Sequence, residues 1–237
     1  MIKLSLEYSK EFELERIEST INRLDWYLSN KYSLNSLSFP KNIDVDNLKE
    51  IKKEELVEAV GEEYDESKFV TTAESIVQMY EKYEVKLEDF IKSIGLSVIP
   101  EVKVSLTNYG IGGSYHLPNE IIVNINRFFS IGLIRNILHE IIHLHIQTLI
   151  DQYKISQWNK ETIVNLLFEK AFPEIYKEPN IPMDTTKIRK IFEENFPNIK
   201  KVISLISEWT YWSRCKVLYE FKIILWAKLT NFCLRIF

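Results

Sequence analysis

The sequence predicts an α+β fold in which a small sheet packs on one long buried helix, with a helical N-terminal extension and a helical C-terminal region. The chain has 237 residues, of which 46% are hydrophobic, enough for one sizeable core. Strand-like alternation is concentrated in residues 101–126, and helical spacing of apolar residues prevails elsewhere. We therefore expect a strand and helices over residues 1–98, a central domain over 99–178, and a helical region over 179–237 that is either separate or part of the same domain.

The N-terminal part is predicted to be mainly helical after one short strand, IKLSLEY. A polar stretch broken by Pro40 predicts a loop, and the acidic stretch GEEYDES predicts a solvated connection. The predicted elements are a strand over 2–8, a helix over 9–30, a loop over 31–50, helices over 46–60 and 72–94, and the acidic connection over 61–67.

A change of pattern follows these helices. Residues 101–110 alternate like a strand, and the glycines that follow predict a turn. Residues 114–126 supply one or two further strands, with Pro118 and Asn119 at the turn between them. Ser130 is a suitable N-cap for the next helix. The remaining predicted elements are helices over 131–151 and 157–172, a loop over 173–184, a helix over 185–195, and a helix from 199 to near the C-terminus.

Charge and composition argue against several classes of protein. The formal net charge is −4 with both signs well mixed, which argues against nucleic-acid binding. The only cysteines are Cys215 and Cys233, so no disulfide framework is implied and a reducing, cytoplasmic location is expected. The N-terminal residues lack the apolar stretch of a secretory signal, and no apolar run is long enough to span a bilayer.

The last stretch, CKVLYEFKIILWAKLTNFCLRIF, combines aromatic residues with scattered lysines and arginines. Such a segment can contact a membrane surface or a partner as an amphipathic helix. We favour a helix that packs in the core, because the longest apolar run, IILWA, is only a few residues long.

The predicted helix over 131–151 contains HEIIH, which fits the pattern H-E-x-x-H. Its apolar residues cover most of its circumference, so we expect it to be buried on nearly all sides. A buried polar stripe on such a helix needs partners, because unpaired buried polar groups are costly. The stripe consists of Asn136, His139, Glu140, His143 and Gln147.

A metal ion would supply those partners. His139 and His143 lie about one turn apart, so both imidazoles can reach one zinc ion. Glu140 is angled beside that ion, where it can hold a water molecule and act as general base in metal-assisted hydrolysis. The alternative is a chance match, and we favour zinc because the motif lies in a buried helix just after a strand-rich segment. His145 points about 200° away from His143 and is expected to be a core histidine.

Catalytic zinc sites usually have three protein ligands and a water molecule. No histidine follows this helix, and the only upstream one is His116. The metzincin pattern fails, because Ile146 and Leu149 stand where it needs glycine and histidine. A cysteine ligand would have to come from the remote C-terminal stretch. An acidic ligand on the next helix is therefore the best remaining choice, and Glu161 and Glu169 are the candidates.

In these residues the sequence resembles the gluzincin metallopeptidases, the thermolysin-like group of zincins, over roughly residues 101–172. The resemblance implies a zincin-like domain in which a glutamate on the following helix is the third ligand, here Glu161, with Glu169 as the alternative. It also implies a supporting acidic residue four positions later, where this chain departs from the family and has Asn165. An amide oxygen can still accept a histidine N–H but raises the basicity of the ligand less. Asn136 is a second candidate for such a supporting role.

In zincins generally, the strand before the active-site helix lies along the cleft and pairs with extended substrate. The resemblance gives that role to GGSYHLPNEIIVNI, with Tyr115 and His116 near the cleft. Ordinary strand or turn packing is the alternative for both residues. A donor that stabilises the oxyanion is also expected. Its candidates are Tyr153, Tyr176, Tyr211 and Tyr219.

These features predict a zinc-dependent metallopeptidase that acts on a peptide or protein substrate. The alternative is a non-catalytic or degenerate relative in which the same residues hold a structural zinc, or form a buried polar network, in an interaction module. Glu140 discriminates between the two, because a structural site has no use for a base and is normally closed by four protein ligands. A third possibility is a zinc hydrolase that acts on a non-peptide amide.

Overall fold

A small sheet lies within a mainly helical protein, so the predicted combination of many helices with a few strands is confirmed. The computed structural model describes residues 1–212. The predicted amphipathic segment, both cysteines and Tyr219 lie outside these residues. The strands are β1 (Lys3–Glu7), β2 (Glu101–Thr107), β3 (Gly113–His116) and β4 (Glu120–Asn124).

The four strands form one sheet in the order β1-β2-β4-β3. The central strand β2 pairs in parallel with both β1 and β4, whereas β3 pairs with β4 in the antiparallel direction. Apolar residues of β2 such as Val104 and Leu106 are fully buried, and so are Ser105 and Thr107 on its other face. Both faces of β2 are thus covered, as is typical of parallel pairing. Strand β3 lies at one edge of the sheet.

The helices account for most of the remaining residues. They are α1 (Lys10–Asn22), α2 (Leu24–Ser29), α3 (Lys53–Glu63), α4 (Glu66–Tyr80), α5 (Glu84–Ser93), α6 (Ile131–Gln152), α7 (Gln157–Ala171) and α8 (Thr186–Asn195). Short 3-10 turns occupy Leu34–Ser36 and Val45–Glu50, and residues 199–212 are helical. Among the described residues, none of the helices is both long and apolar enough to cross a bilayer.

Two predicted helices of the N-terminal part have different bounds in the structure. The helix predicted over 9–30 is broken at Arg23, whose φ of −100° and ψ of 8° separate α1 from α2. The helix predicted over 46–60 is wrong at both ends, because a 3-10 turn precedes it and α3 continues to Glu63. The acidic residues at the end of α3 stay helical since Leu56 and Val60 are buried beside them.

The acidic connection predicted over 61–67 is also wrong, because α4 already begins within it. Asp65 caps that helix by accepting hydrogen bonds from the backbone N–H groups of Ser67 and Lys68, at 3.0 and 3.4 Å. The helix predicted over 72–94 is therefore the end of α4 followed by α5, with a break at residues 81–83.

The later helices α6, α7 and α8 agree with the sequence prediction to within one residue, whereas the strand predicted over 101–110 already ends at Thr107. Two strands flank a turn at residues 117–119, as expected for Pro118 and Asn119. Ser130 precedes α6, and its carbonyl oxygen accepts a hydrogen bond from Leu133 at 3.0 Å. These bounds place the HEIIH sequence in the middle of a helix of 22 residues.

The contacts group the chain into two compact units, whose boundaries fall inside α6 and α7. The first unit comprises Met1–Ile146 and Leu167–Pro179, and it contains the whole sheet. The second comprises Gln147–Leu166 and the described residues from Asn180 onward. The predicted domain boundaries near residues 98 and 178 remain predictions.

Candidate metal centre

Helix α6 is enclosed by the protein, as its apolar composition predicts. Ile134, Ile137 and Ile141 have no exposed surface. The polar stripe is buried to different degrees along its length. Glu140 is 7% and His143 2% exposed. The stripe therefore places ionisable groups where they are shielded from bulk water, so their interactions with a charge are strong.

The imidazoles of His139 and His143 converge through the same ring atom. Their Nε2 atoms are 3.1 Å apart, and the ring planes are inclined by 71°. Two bare nitrogen lone pairs repel at this distance, so a proton or a metal ion must lie between them. Two nitrogens that bind one tetrahedral zinc ion at its usual bond length are roughly 3.3 Å apart. The pair therefore has nearly the spacing that a zinc ion requires.

A carboxylate completes the set of possible ligands. His139, His143 and Glu161 each offer one ligand atom, and these atoms all lie within 4.8 Å of one another. Glu169, the alternative, does not belong to this group. The bound of 4.8 Å is longer than the 3.1 Å between the two histidine nitrogens. The flexible side chain of Glu161 can bring its carboxylate closer to them. Two imidazole nitrogens and one carboxylate oxygen are a donor set that suits zinc.

The side chains of α7 hold Glu161 from within that helix. The Gln157 amide donates a hydrogen bond of 3.0 Å to Glu161 Oε1. The Asn165 amide group donates to the backbone oxygen of Glu161 at 2.7 Å. Sequence reasoning expected Asn165 to accept a hydrogen bond from a histidine, but the bond observed within the described residues stays inside α7. Asn165 thus supports the backbone of the candidate ligand.

The aromatic residues around the histidines restrict how their rings can turn. Tyr115 of β3 stacks on His143, with ring centroids 4.7 Å apart and planes 10° apart. The Phe168 ring lies 6.3 Å from that of His139, centroid to centroid. Tyr176 in turn lies 6.4 Å from Phe168. Of the predicted oxyanion donors, Tyr176 is thereby linked to the histidine pair through Phe168, an aromatic contact that sequence reasoning missed.

The general-base candidate Glu140 packs against a glycine of the edge strand. A Cβ atom on Gly113 would stand 2.4 Å from Glu140 Oε1 and 2.6 Å from Asn136 Oδ1. Any side chain at this position would therefore collide with both residues. Asn136 Oδ1 is buried and has no hydrogen-bond donor among the described residues. Because Gly113 has no side chain, Glu140 can contact the backbone of β3 directly.

His116 and His145 lie outside the ligand group. His116 ends β3, half-buried, and its pKa is lowered first by burial and then by the positive charge of Arg23. His145 is held by the backbone, as expected of a core histidine. Its Nδ1 lies 2.7 Å from the carbonyl oxygen of Ile141, and its Nε2 accepts from the N–H of Ile99 at 3.2 Å.

Two other predicted tyrosines, Tyr153 and Tyr211, make contacts within the second unit. The backbone oxygen of Tyr153 accepts a hydrogen bond from the Ser207 hydroxyl, and Tyr211 stacks edge-on against Trp212. Gln147, at the end of the polar stripe, bonds to Asp151 on its own helix at 2.6 Å.

Comparisons of the chain with protein-family models, with curated proteins and with solved structures found no match.

Proposed function

We propose that this chain is a zinc-dependent peptidase with a zincin-like active site. The observation that carries the proposal is the 3.1 Å approach of His139 Nε2 and His143 Nε2, directly beside the buried carboxylate of Glu140. In this proposal the two histidines and Glu161 hold the ion. A buried helix has no structural need for such a trio, because apolar residues would fill the same space at a lower desolvation cost.

The division of roles follows from the positions of the side chains. Bound zinc would act as a Lewis acid that makes water a better nucleophile and polarises the substrate carbonyl. Glu140 takes the proton of the attacking water and returns it to the leaving amine. Burial of Glu140 excludes bulk water from this proton transfer. Tyr115 fixes the ring plane of His143 and so keeps its Nε2 aimed at the ion.

The substrate is proposed to bind along β3. As an edge strand, β3 presents backbone groups to which an extended peptide can add as a further strand. Gly113 lets the backbone of β3 approach Glu140 closely. A peptide in this position would run past the histidine pair, which favours a peptide bond over a small non-peptide amide as the bond that is cleaved.

Zinc content tests the ligand set. We expect about one zinc ion per purified chain, lost in His139→Ala and in His143→Ala and weakened in Glu161→Gln, as measured by elemental analysis. The matched controls are Glu169→Gln on the same helix and His116→Gln on β3, and both should keep the metal. A wild-type chain that takes up no zinc, even when refolded with it, would rule out the metal centre.

Glu140→Gln separates an enzyme from a structural zinc protein. The amide cannot accept the proton, so peptide hydrolysis should fall by about 10²–10⁴-fold while the zinc content is unchanged. Hydrolysis of a blocked peptide library, followed by mass spectrometry, measures this effect. A wild-type protein that binds zinc yet cleaves nothing, with Glu140→Gln behaving identically, would favour the structural role instead.

A further inference from the structure

Two nitrogen atoms of a buried guanidinium on α1 have no hydrogen-bond acceptor among the described residues. Arg16 is only 4% exposed. Its Nε and Nη2 atoms are buried and have no acceptor among the described residues. An arginine remains protonated even when buried, so this guanidinium carries its charge into the interior. Native proteins rarely bury N–H groups without an acceptor, because the hydrogen bonds lost to water are not replaced.

Glu13, an acidic residue of α1 that interacts electrostatically with Arg16, is already engaged by other groups. Glu13 is fully buried and accepts hydrogen bonds from the Thr107 hydroxyl at 2.5 Å, from the Asn108 backbone at 2.9 Å and from the Asn108 amide at 3.0 Å. The Thr20 hydroxyl, which also lies near Arg16, donates to the backbone oxygen of Arg16 at 2.7 Å. Glu13 and the Thr20 hydroxyl are therefore bonded to groups other than the Arg16 guanidinium.

The guanidinium lies against the glycine turn that also contacts the proposed base. A Cβ atom on Gly110 would stand 2.6 Å from Arg16 Nε, just as one on Gly113 would stand 2.4 Å from Glu140 Oε1. Three residues of chain span at most about 11 Å between Cα atoms. Asn124 holds this turn by bonding to the carbonyl oxygens of Gly110 and Gly112, at 3.2 and 2.9 Å. Arg16 and Glu140 thus flank one short, anchored segment.

The electrostatic interactions of Arg16 extend toward the proposed active site. The charge of Arg16 interacts favourably with that of Glu140, and both Arg16 and Arg23 act on His116. Near the end of β3, the positive charges of Arg16 and Arg23 are thus opposed by the negative charge of Glu120. A substrate that passes Glu140 along β3 reaches the glycine turn that Arg16 contacts within a few residues.

We propose that Arg16 binds a carboxylate of the substrate, a few residues from the bond that is cleaved. A carboxylate can accept two parallel hydrogen bonds from the guanidinium, which are the bonds that Arg16 lacks within the described protein. The carboxylate is either the C-terminus of a short peptide or an acidic side chain within a longer one. This inference rests on the proposed peptidase function, because it uses the same site.

Paired substrates test the inference and distinguish the two sources. One pair is an acetylated tetrapeptide library with a free C-terminal carboxylate and the same library as C-terminal amides. The other pair is an amidated library that carries an internal glutamate and its glutamine counterpart. We expect the wild-type protein to prefer the acid of one pair by about tenfold to a hundredfold in kcat/KM, mainly through KM. The pair that shows the preference identifies the source.

Variants connect that preference to Arg16. Arg16→Met keeps the aliphatic stem and should remove the preference, whereas Arg16→Lys keeps a charge without the two-pronged geometry and should retain part of it. The matched control is Arg23→Met, which removes an exposed charge from the break that follows α1 and should leave most of the preference in place. Equal hydrolysis of acid and neutral partners by the wild-type protein would overturn the inference and leave the peptidase proposal standing.

A binding measurement keeps the inference testable if no hydrolysis is found. The Glu140→Gln protein is titrated with the same libraries by calorimetry, and the free-acid or glutamate library should bind at least about tenfold more tightly than its neutral partner. Adding Arg16→Met to this protein should abolish the difference. Equal binding of both partners would contradict the inference whatever the zinc content and hydrolysis experiments show.

Discussion

The histidines on two sides of α6 differ in their hydrogen bonding. On one side, both ring nitrogens of His145 lie at hydrogen-bond distance from backbone groups, the carbonyl of Ile141 and the N–H of Ile99. On the other side, the Nε2 atoms of His139 and His143 face each other at 3.1 Å. All three rings are at least half-buried, so burial does not distinguish them. What differs is the neighbour of the ring nitrogens: backbone groups for His145, and another imidazole for His139 and His143.

The same contrast recurs on α1. Glu13 is fully engaged by Thr107 and Asn108, whereas two nitrogens of Arg16 have no acceptor among the described residues. A buried polar group whose hydrogen bonds are all made within the protein stabilises the fold and needs no bond to solvent or ligand. A buried group without such a partner keeps an unused hydrogen bond that a ligand could supply.

The side of α6 that carries His139, Glu140 and His143 is tested most strongly by Gly113→Ala. The added methyl would stand 2.4 Å from Glu140 Oε1 and must displace the base. We expect peptide hydrolysis to fall by about 10–10³-fold while the zinc content stays at the wild-type value, because the atoms nearest to this methyl belong to Glu140 and Asn136 and not to a histidine. Initial rates with the peptide library and elemental analysis measure the two quantities.

The matched control for this variant is Gly132→Ala at the start of α6. A Cβ atom there meets only ordinary contacts, at 3.7 Å and beyond. It should retain near-wild-type rates. If Gly113→Ala were as active as this control, the base would not be where the proposed mechanism needs it.

The opposite side of α6, which carries His145, is tested by His145→Leu. Leucine removes both bonding partners of Ile141 O and Ile99 N at this position, so we expect the free energy of unfolding to fall by about 2–3 kcal/mol. Zinc content and hydrolysis by the surviving folded protein should be unchanged. Urea denaturation gives the first quantity, and elemental analysis gives the metal content. Loss of zinc in this variant would show that the two sides of α6 are not independent.

A smaller, pH-dependent effect is expected from Glu13. Burial raises its pKa to about 7, against the hydrogen bonds from Thr107 and Asn108, which lower it. The folded protein therefore binds a proton here more tightly than the unfolded chain does. Accordingly, the free energy of unfolding should fall by about 1–2 kcal/mol as the pH rises from about 4.5 to about 7.

Urea denaturation across this pH range measures the slope, and Glu13→Gln should lack it. The exposed neighbour Glu15 offers the control, since Glu15→Gln should keep the wild-type slope. Parallel curves for Glu13→Gln and the wild type would mean that Glu13 is ionised in the folded protein throughout, and that its hydrogen bonds outweigh its burial.

The sequence predicted best the features whose causes are local. The bounds of α6 and the stripe that contains His139, Glu140 and His143 follow from helical periodicity, which needs only neighbouring residues. The N-terminal bounds were less accurate, because a charge-rich stretch has no local sign of whether it stays helical. There Gly61 remains in α3 because Leu56 and Val60 pack on the core, a tertiary effect.

Contacts between distant parts of the chain lay beyond sequence reasoning. Arg16 lies on an ordinary amphipathic helix, and nothing in that helix predicts its contact with Gly110, more than ninety residues later. The glycine pattern around Gly113 predicted a close approach by some group, but not that Glu140 and Asn136 would make it. The stacking of Tyr115 on His143 was likewise only a general expectation that β3 lies near the helix.

The parallel pairing of β1 with β2 has a consequence for synthesis on the ribosome. Lys3 is aligned with Glu101, so β1 leaves the ribosome about a hundred residues before its partner exists. In the interval α1 to α5 can form through local contacts, whereas the sheet must wait for a long loop to close. Gly110, Gly113 and α6 follow later still. The positions of Arg16 and Glu140 therefore become related only after α6 has been made, and a nascent chain that stalls before β4 would carry an unpaired strand edge and lack Glu140.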